Sequence, residues 1–341
     1  MISLSALRRF YPSISEHRAV EAGISRLLHE TLDPKYIAPG GGELGAFHYT
    51  QRNFFSILFL GLYRALDIPF ERRIFYGMIN HSIRGIVTGT DNLLDDEYKE
   101  MLPLDFPEGA VRFKSVMHIL LFDRFLYTVL DRAVADGLIG RDEKDAVQKA
   151  IFRAMVPIGE EEASEESGIE TVLPPSEVLT SVHMYKGGNL LRLAFVAPLI
   201  IEKDLNHRLA LADLGIYSIG LSLQVIDDLT DFYEDIRGHK HNYLVSSIFH
   251  EGTTEEKKRL EAARTSGETA SPAVDNTYPG SVSRVMEQAI GEALKGFSLL
   301  EEGGFWLNRK QAMNVVRYLF YVRGVKNLLD LLPDNGEATL S

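Results

Sequence analysis
Gln224-Val225-Ile226-Asp227-Asp228-Leu229-Thr230-Asp231-Phe232-Tyr233-Glu234-Asp235 is the stretch on which the reading of this chain turns. Taken as a helix, it places Asp227, Asp231 and Asp235 at i, i+4 and i+8, three carboxylates along one face. Val225, Ile226, Leu229, Phe232 and Ile236 mark an apolar side, and Asp228 lies beside the acidic stripe. Like charges at i, i+4 destabilise a helix by about 0.2–0.5 kcal/mol per pair, and no basic residue interrupts these. Two readings account for the stretch: a solvated acidic face, or a face that holds a cation. All-oxygen donors suit a hard ion, and Mg²⁺ is usually held by one or two carboxylates together with substrate phosphates.

A second acidic group, Asp91-Asn92-Leu93-Leu94-Asp95-Asp96-Glu97, closes the apolar stretch from Ile79 to Leu94. Asp91 and Asp95 are again i, i+4, and His81, Arg84 and Thr88 continue the same stripe. Two such helix ends facing each other across a bundle would form a multi-metal clamp that neutralises and orients a leaving diphosphate.

The whole chain sets the bounds. Its 341 residues are enough for a large core, and 45% hydrophobic with 25% charged residues is the composition of a globular protein. No continuous apolar run reaches 18 residues, so no membrane span is expected. The amino terminus lacks the apolar core and cleavage site of a secretory signal. With no cysteine, thiolate catalysis, disulfides and cysteine-ligated metals are excluded, and a cytoplasmic setting is expected. A net charge of −12 argues against nucleic acid as a partner. Bound cations and a few local Lys or Arg can still give an acidic protein a polyanion site.

Helical periodicity dominates the chain, and no succession of alternating strands is found. Helices are expected over about 3–33 (as one or two), 49–66, 70–94, 109–137, 142–156, 176–201, 209–238, 282–302 and 308–332. The helix over 109–137 carries Phe113, Val116, Leu120, Phe122, Leu126 and Leu130 as its apolar residues. Gly40-Gly41-Gly42 reads as a turn, since the lysine of a phosphate-binding loop is missing. Gly159 to Pro175, with Glu160-Glu161-Glu162 and Glu165-Glu166, reads as an exposed acidic connection. Residues 265–281 read as a mobile loop, and 334–341 as a polar tail. His239 and His241, i, i+2 in a turn without thiols, are poor zinc ligands.

Over roughly residues 70–245 the chain resembles the trans-isoprenyl diphosphate synthase (polyprenyl synthetase) superfamily. That family's second aspartate motif, Phe-Gln-x-x-Asp-Asp-x-x-Asp, stands here as Leu223-Gln224-Val225-Ile226-Asp227-Asp228-Leu229-Thr230-Asp231. Its first, Asp-Asp-x-x-Asp, appears as Asp91-Asn92-Leu93-Leu94-Asp95, with an amide in the middle. Lys186 matches the family's upstream lysine, Lys240 its later basic segment, and Phe122-Asp123 a Gly-Asp position. The resemblance implies a single all-α domain over residues 1–341, a large helical bundle with a central apolar cavity, assembled as a homodimer. It implies that Asp91, Asp95, Asp227, Asp231 and Asp235 hold about two or three Mg²⁺ ions, with Asp228 as a ligand or its support. Lys186, Arg192, Gln224, Lys240 and Arg112 are the residues expected to meet the diphosphate. Asp91, Asp95, Asp227, Asp228 and Lys186 would carry the ionisation of an allylic prenyl diphosphate. Ile86 and Val87, before the first motif, are not bulky aromatics, which favours a longer prenyl chain.

The departures are as informative. In chain-elongating members, a Gly-Lys-Arg-x-Arg-Pro loop and an Arg-Arg-Gly help hold isopentenyl diphosphate. Here Pro39-Gly40-Gly41-Gly42-Glu43-Leu44 and Lys99-Glu100-Met101-Leu102-Pro103 lack those arginines. Arg52, Arg72, Arg73, Arg84 and Arg112 are the available replacements. A prenyl transferase, including one with an unusual acceptor, is the leading expectation. A class I terpene cyclase is the alternative, supported by the spacing of Asp227, Asp231 and Asp235 and by Arg317-Tyr318. A non-catalytic prenyl-diphosphate-binding or regulatory subunit is the third.

Overall fold
The computed structural model describes residues 4–39, 45–94, 98–266, 273–322 and Val325. Apolar residues at helical spacing become α1 (Leu4–Thr31), α2 (Ala46–Arg52), α3 (Phe54–Ala65), α4 (Phe70–Leu94), α5 (Val111–Ala135) and α6 (Arg141–Ser164). A short α7 (Pro175–Glu177) leads into a π-helical run, Val178–Asn189, and then α8 (Leu190–Ile201). There follow α9 (Asn206–Thr230), α10 (Phe232–Gly238), α11 (Tyr243–Glu251), α12 (Thr254–Ser266), α13 (Val274–Thr277), α14 (Pro279–Glu302) and α15 (Arg309–Val322). Among the described residues there is no strand, and Ile37 and Leu104 form an isolated antiparallel bridge. The fold is all-α, as the periodicity predicts.

Several boundaries differ from the sequence reading, each for a local reason. The helix expected over 49–66 breaks at Asn53, which is buried and accepts a hydrogen bond from Arg84 Nη1 at 3.1 Å. The acidic connection begins later than expected, because α6 runs on to Ser164 and takes Glu160-Glu161-Glu162 with it. Much of the loop expected over 265–281 is helical: α12 reaches Ser266, α13 forms a turn, and α14 opens on Pro279. Proline suits that first position because its missing N–H has no helical acceptor there. The glycine turn at 40–42, Asp95-Asp96-Glu97, residues 267–272 and the tail at 334–341 lie outside the described residues.

The described chain groups into two compact units. One comprises Leu4–Phe152 with Leu193–Asn206, the other Arg153–Arg192 with the chain from His207 onward. In the first, α1, α3, α4 and α5 pack together around Leu28, Ile57, Leu58, Tyr63, Tyr76, Phe122 and Phe125. Phe122 occupies the expected Gly-Asp position, and the glycine lies on the opposite helix. A Cβ on Gly85 would sit 2.1 Å from the Phe122 ring, so the glycine of α4 receives the phenylalanine of α5. Asp123 is exposed on the surface of α5. Of the apolar residues along α5, Phe113, Val116 and Leu120 are 51%, 39% and 58% exposed, and Tyr127 joins them on the outer face.

Buried ion pairs tie this unit. Glu16 on α1 accepts from Arg73 Nη2 at 2.6 Å, Arg73 Nε at 3.1 Å and Arg64 Nη1 at 3.1 Å. Glu202 accepts from Arg72 at 2.9 Å and Tyr76 Oη at 2.8 Å. Removing one member of a buried pair strands the other charge, at a cost of about 3–5 kcal/mol. Glu16→Ala is therefore expected to lower stability by an amount in that range, read from urea midpoints at constant m-value; a shift below about 0.5 kcal/mol would show that the pair contributes little.

In the second unit α9 is approached by backbone on two sides. A Cβ on Gly220 would lie 2.3 Å from the Gly187 carbonyl oxygen, and one on Gly215 would lie 2.8 Å from the Gly296 oxygen. Ser222 adds a hydrogen bond to the Ala289 carbonyl at 2.6 Å. The segment Lys203–Thr230 is long and apolar enough to cross a membrane by length and composition, yet the apolar window is 72% buried inside the fold. A core helix has that character because protein surrounds it on all sides.

Candidate metal and diphosphate site
The second aspartate group is not one continuous helix. Helix α9 ends at Thr230, Asp231 takes φ −96 and ψ 5, and α10 starts at Phe232. The hydrogen-bond ladder nevertheless continues, with Asp231 N donating to Asp227 O at 2.9 Å and Asp235 N to Asp231 O at 2.8 Å. The i, i+4 spacing of the three carboxylates thus survives a bend. The chain leaves α10 through His239, a left-handed residue at φ 52, one position after the glycine expected to end the helix.

The four aspartates have different surroundings. Asp227 is half-buried and Asp231 exposed, at the open end of α9. Asp228 is buried: one carboxylate oxygen meets His183 Nε2 at 2.9 Å and the Tyr243 amide at 2.5 Å, while Gln224 approaches the other at 3.4 Å. His183 Nδ1, also buried, has no hydrogen-bond partner among the described residues. Asn242 fastens the same region. It donates to Asp228 O at 2.7 Å and Asp235 Oδ2 at 2.8 Å, and accepts from Val245 N at 3.0 Å to cap α11. Burial, followed by the Asp228 charge, pushes the Asp235 carboxyl up to about 8 despite the Asn242 hydrogen bond.

The expected phosphate ligands are already engaged. Lys186 is largely buried and bonds Glu165, with Glu162 at 3.5 Å. Burial alone would pull its pKa down, but Glu162 and Glu165 outweigh that and raise it. Arg192 forms a fork with Asp213 at 2.9 and 2.5 Å. Lys240 is half-buried in the turn after α10, and its amide donates to Asp235 O at 2.9 Å. Glu165, read from sequence as solvated, is buried; its second oxygen accepts the His241 amide at 3.3 Å.

In the other unit Asp91 is half-buried on the last turns of α4, and Arg112 is exposed at the start of α5. Asp95 lies outside the described residues. Asn92, where the family motif has a carboxylate, is buried and closes a two-way bridge to the backbone of Lys99: its amide donates to Lys99 O at 3.1 Å and accepts from Lys99 N at 2.8 Å. A carboxylate cannot make the donating half. Asn92→Asp is expected to cost about 1–3 kcal/mol at neutral pH, measured by thermal unfolding; a variant as stable as the parent would leave the bridge without a role.

Of the five arginines available to bind a second anion, Arg72 and Arg73 are held by Glu202 and Glu16. Arg84 donates to Asn53 Oδ1 and Arg52 O, each at 3.1 Å, and Arg52 donates to Glu100 O at 2.9 Å. His81, on the same stripe as Arg84, is held neutral: burial first, then His17, Arg84 and Arg52, bring it down to about 3.

Among the described residues no group of three or more His, Asp or Glu side chains is disposed to hold a metal ion by itself. Two accessible carboxylates one turn apart, Asp227 and Asp231, are a donor set that suits Mg²⁺ shared with a phosphate.

No family model matches the chain, and no curated protein matches it. Solved structures do. A polyprenyl synthetase from Streptomyces coelicolor A3(2) superposes with a TM-score of 0.63 at 14% identity, over 90% of this chain and 98% of that one. A geranylgeranyl pyrophosphate synthetase from Pyrococcus horikoshii Ot3 gives 0.61 at 18% identity, over 93% and 98%. A polyprenyl synthase from Caulobacter crescentus CB15, complexed with calcium and isoprenyl diphosphate, gives 0.58 at 14% identity, over 91% and 97%. The chain therefore has the all-α fold of the trans-isoprenyl diphosphate synthases.

Proposed function
We propose that the protein is a Mg²⁺-dependent prenyl transferase that ionises an allylic prenyl diphosphate. The observation that carries the reading is the pair Asp227 and Asp231, accessible at the end of α9, with Asp228 locked behind them by His183 and the Tyr243 amide. The calcium and isoprenyl diphosphate named for the Caulobacter structure support the same ligand class. Bound Mg²⁺ would supply charge stabilisation to the departing diphosphate. Asp227 and Asp231 hold the cation, with Asp91, Asp95 and Asp235 as further proposed ligands. Gln224 orients the Asp228 carboxylate, Lys240 meets phosphate oxygens, and apolar helix faces keep water from the allyl cation. Arg52 and Arg84 remain the groups proposed to receive a second diphosphate.

A terpene cyclase is the second reading, favoured by the commitment of Arg72 and Arg73 to internal carboxylates. The test is a product assay with Mg²⁺ and C10, C15 and C20 allylic diphosphates, each with and without isopentenyl diphosphate. Longer diphosphates formed only with isopentenyl diphosphate establish transfer; hydrocarbons or alcohols without it establish the cyclase; no pyrophosphate release in any tube counts against both.

We also propose a homodimer through the outer face of α5. Phe113 and Tyr127 lie seven residues either side of Leu120, so an antiparallel second copy pairs aromatic with aromatic about a two-fold axis at Leu120. Leu120→Glu is expected to halve the mass measured by light scattering; an unchanged mass refutes this face.

A further inference from the structure
The acidic turn after α6 is the part of the second unit that the proposed reaction does not use. Glu165 and Lys186 are both withdrawn from water, with side chains 3% and 12% exposed. Their pairing is built in. Gly168, at φ +78, packs against His239, where a Cβ would lie 3.0 Å from His239 Cβ. Ile169 N donates to His239 O at 2.8 Å, and Glu165 itself accepts the His241 amide. The turn that carries Glu165 is thus laced to the turn that follows the aspartates. Lys186 consequently faces Glu165, Glu162 at 3.5 Å and the nearby Asp228 charge, three carboxylates around one ammonium.

We infer that Glu165 makes capture of a diphosphate by Lys186 conditional on bound divalent metal. The inference rests on the prenyl diphosphate reading above. A bare diphosphate approaching Lys186 meets a surplus of negative charge at short range, in surroundings where screening by water is reduced. It also has to take the ammonium from a carboxylate already bonded to it. A metal-complexed diphosphate brings less charge, so it competes with Glu165 where the free anion does not. Repulsion of the wrong form is a direct way to obtain selectivity. The rejected species are free pyrophosphate and other uncomplexed polyanions.

The experiment is calorimetric titration of the full chain with inorganic pyrophosphate, in excess Mg²⁺ and in EDTA. The parent protein is expected to bind in Mg²⁺ and not in EDTA. Glu165→Gln is expected to bind in EDTA at least tenfold more tightly than the parent, and the double variant with Lys186→Gln to lose that gain. Glu162→Gln, at a half-exposed and more distant carboxylate, is expected to shift binding the same way by less. A folded Glu165→Gln that binds no more tightly in EDTA overturns the inference. If Glu165→Gln does not fold, an absence of gain in Glu162→Gln overturns it instead. Failure of the parent to bind pyrophosphate even in Mg²⁺ counts against the proposed function itself, whereas a metal-dependent parent with unresponsive variants counts against Glu165 alone.

Discussion

Asp227→Ala is expected to lower Mg²⁺-dependent pyrophosphate release by about a thousandfold, some 4 kcal/mol of lost transition-state stabilisation. The backbone hydrogen bonds of the helix end are expected to persist. The Asp227 backbone carbonyl accepts Asp231 N at 2.9 Å and Thr230 Oγ1 at 2.8 Å, and an alanine keeps that carbonyl. Removing a carboxylate from a stripe of like charges relieves repulsion along the helix. Asp228→Ala is the informative contrast, because its side chain satisfies His183 and the Tyr243 amide in the interior. That variant should lose stability as well as activity. Parallel measurements of pyrophosphate release and far-ultraviolet dichroism separate the two. A parental rate in Asp227→Ala would remove α9 from the chemistry.

Gly220→Val is expected to cost about 3 kcal/mol or more, at the upper end of what overpacking does. The atoms in the way are backbone: the Gly187 oxygen at 2.3 Å, its carbonyl carbon at 2.7 Å and Gly188 Cα at 3.1 Å. No rotamer change relieves that contact; α9 and the π-helical run must separate. Marginal stability of about 5–15 kcal/mol makes such a loss severe. Gly291→Ala is the matched control, since a Cβ there meets nothing within 4 Å and lies inside α14. Helix propensity predicts a gain of about 0.5–1 kcal/mol at that position. Chemical denaturation of the three proteins decides the matter, and a Gly220→Val midpoint equal to the parent's would deny the close crossing.

The long helices were legible because their apolar residues recur with helical period over many turns: α1, α4, α5 and α14 fall within a few residues of their sequence limits. That pattern does not reveal which apolar face stays open, as Phe113, Val116 and Leu120 show. The aspartates at 227, 231 and 235 were legible by spacing, but not their separate surroundings. Asp228 is buried by His183, 45 residues away, and Glu165 by Lys186, 21 residues away, and such pairings come only with the tertiary fold. Asn92 read only as an amide where the family motif has a carboxylate, whereas that amide is what the Lys99 bridge requires. Asn242 had a signal that could have been used: a capping residue directly before Tyr243-Leu244-Val245, the apolar start of α11.

The π-helical run Val178–Asn189 also bears on where such a chain can change length. Its hydrogen bonds span five residues, as Leu190 N to Tyr185 O does, so each turn holds about one residue more than an α-turn. A deletion between Val178 and Val182 can be absorbed when one turn tightens to α geometry, leaving His183, Lys186 and Gly187 where they were. The same deletion inside α9 has no surplus to consume. It rotates everything beyond it by about 100° and turns Asp227 away from its face. Insertions and deletions should therefore be tolerated in the first turn of the π-helical run and selected against in the helix that carries the aspartates.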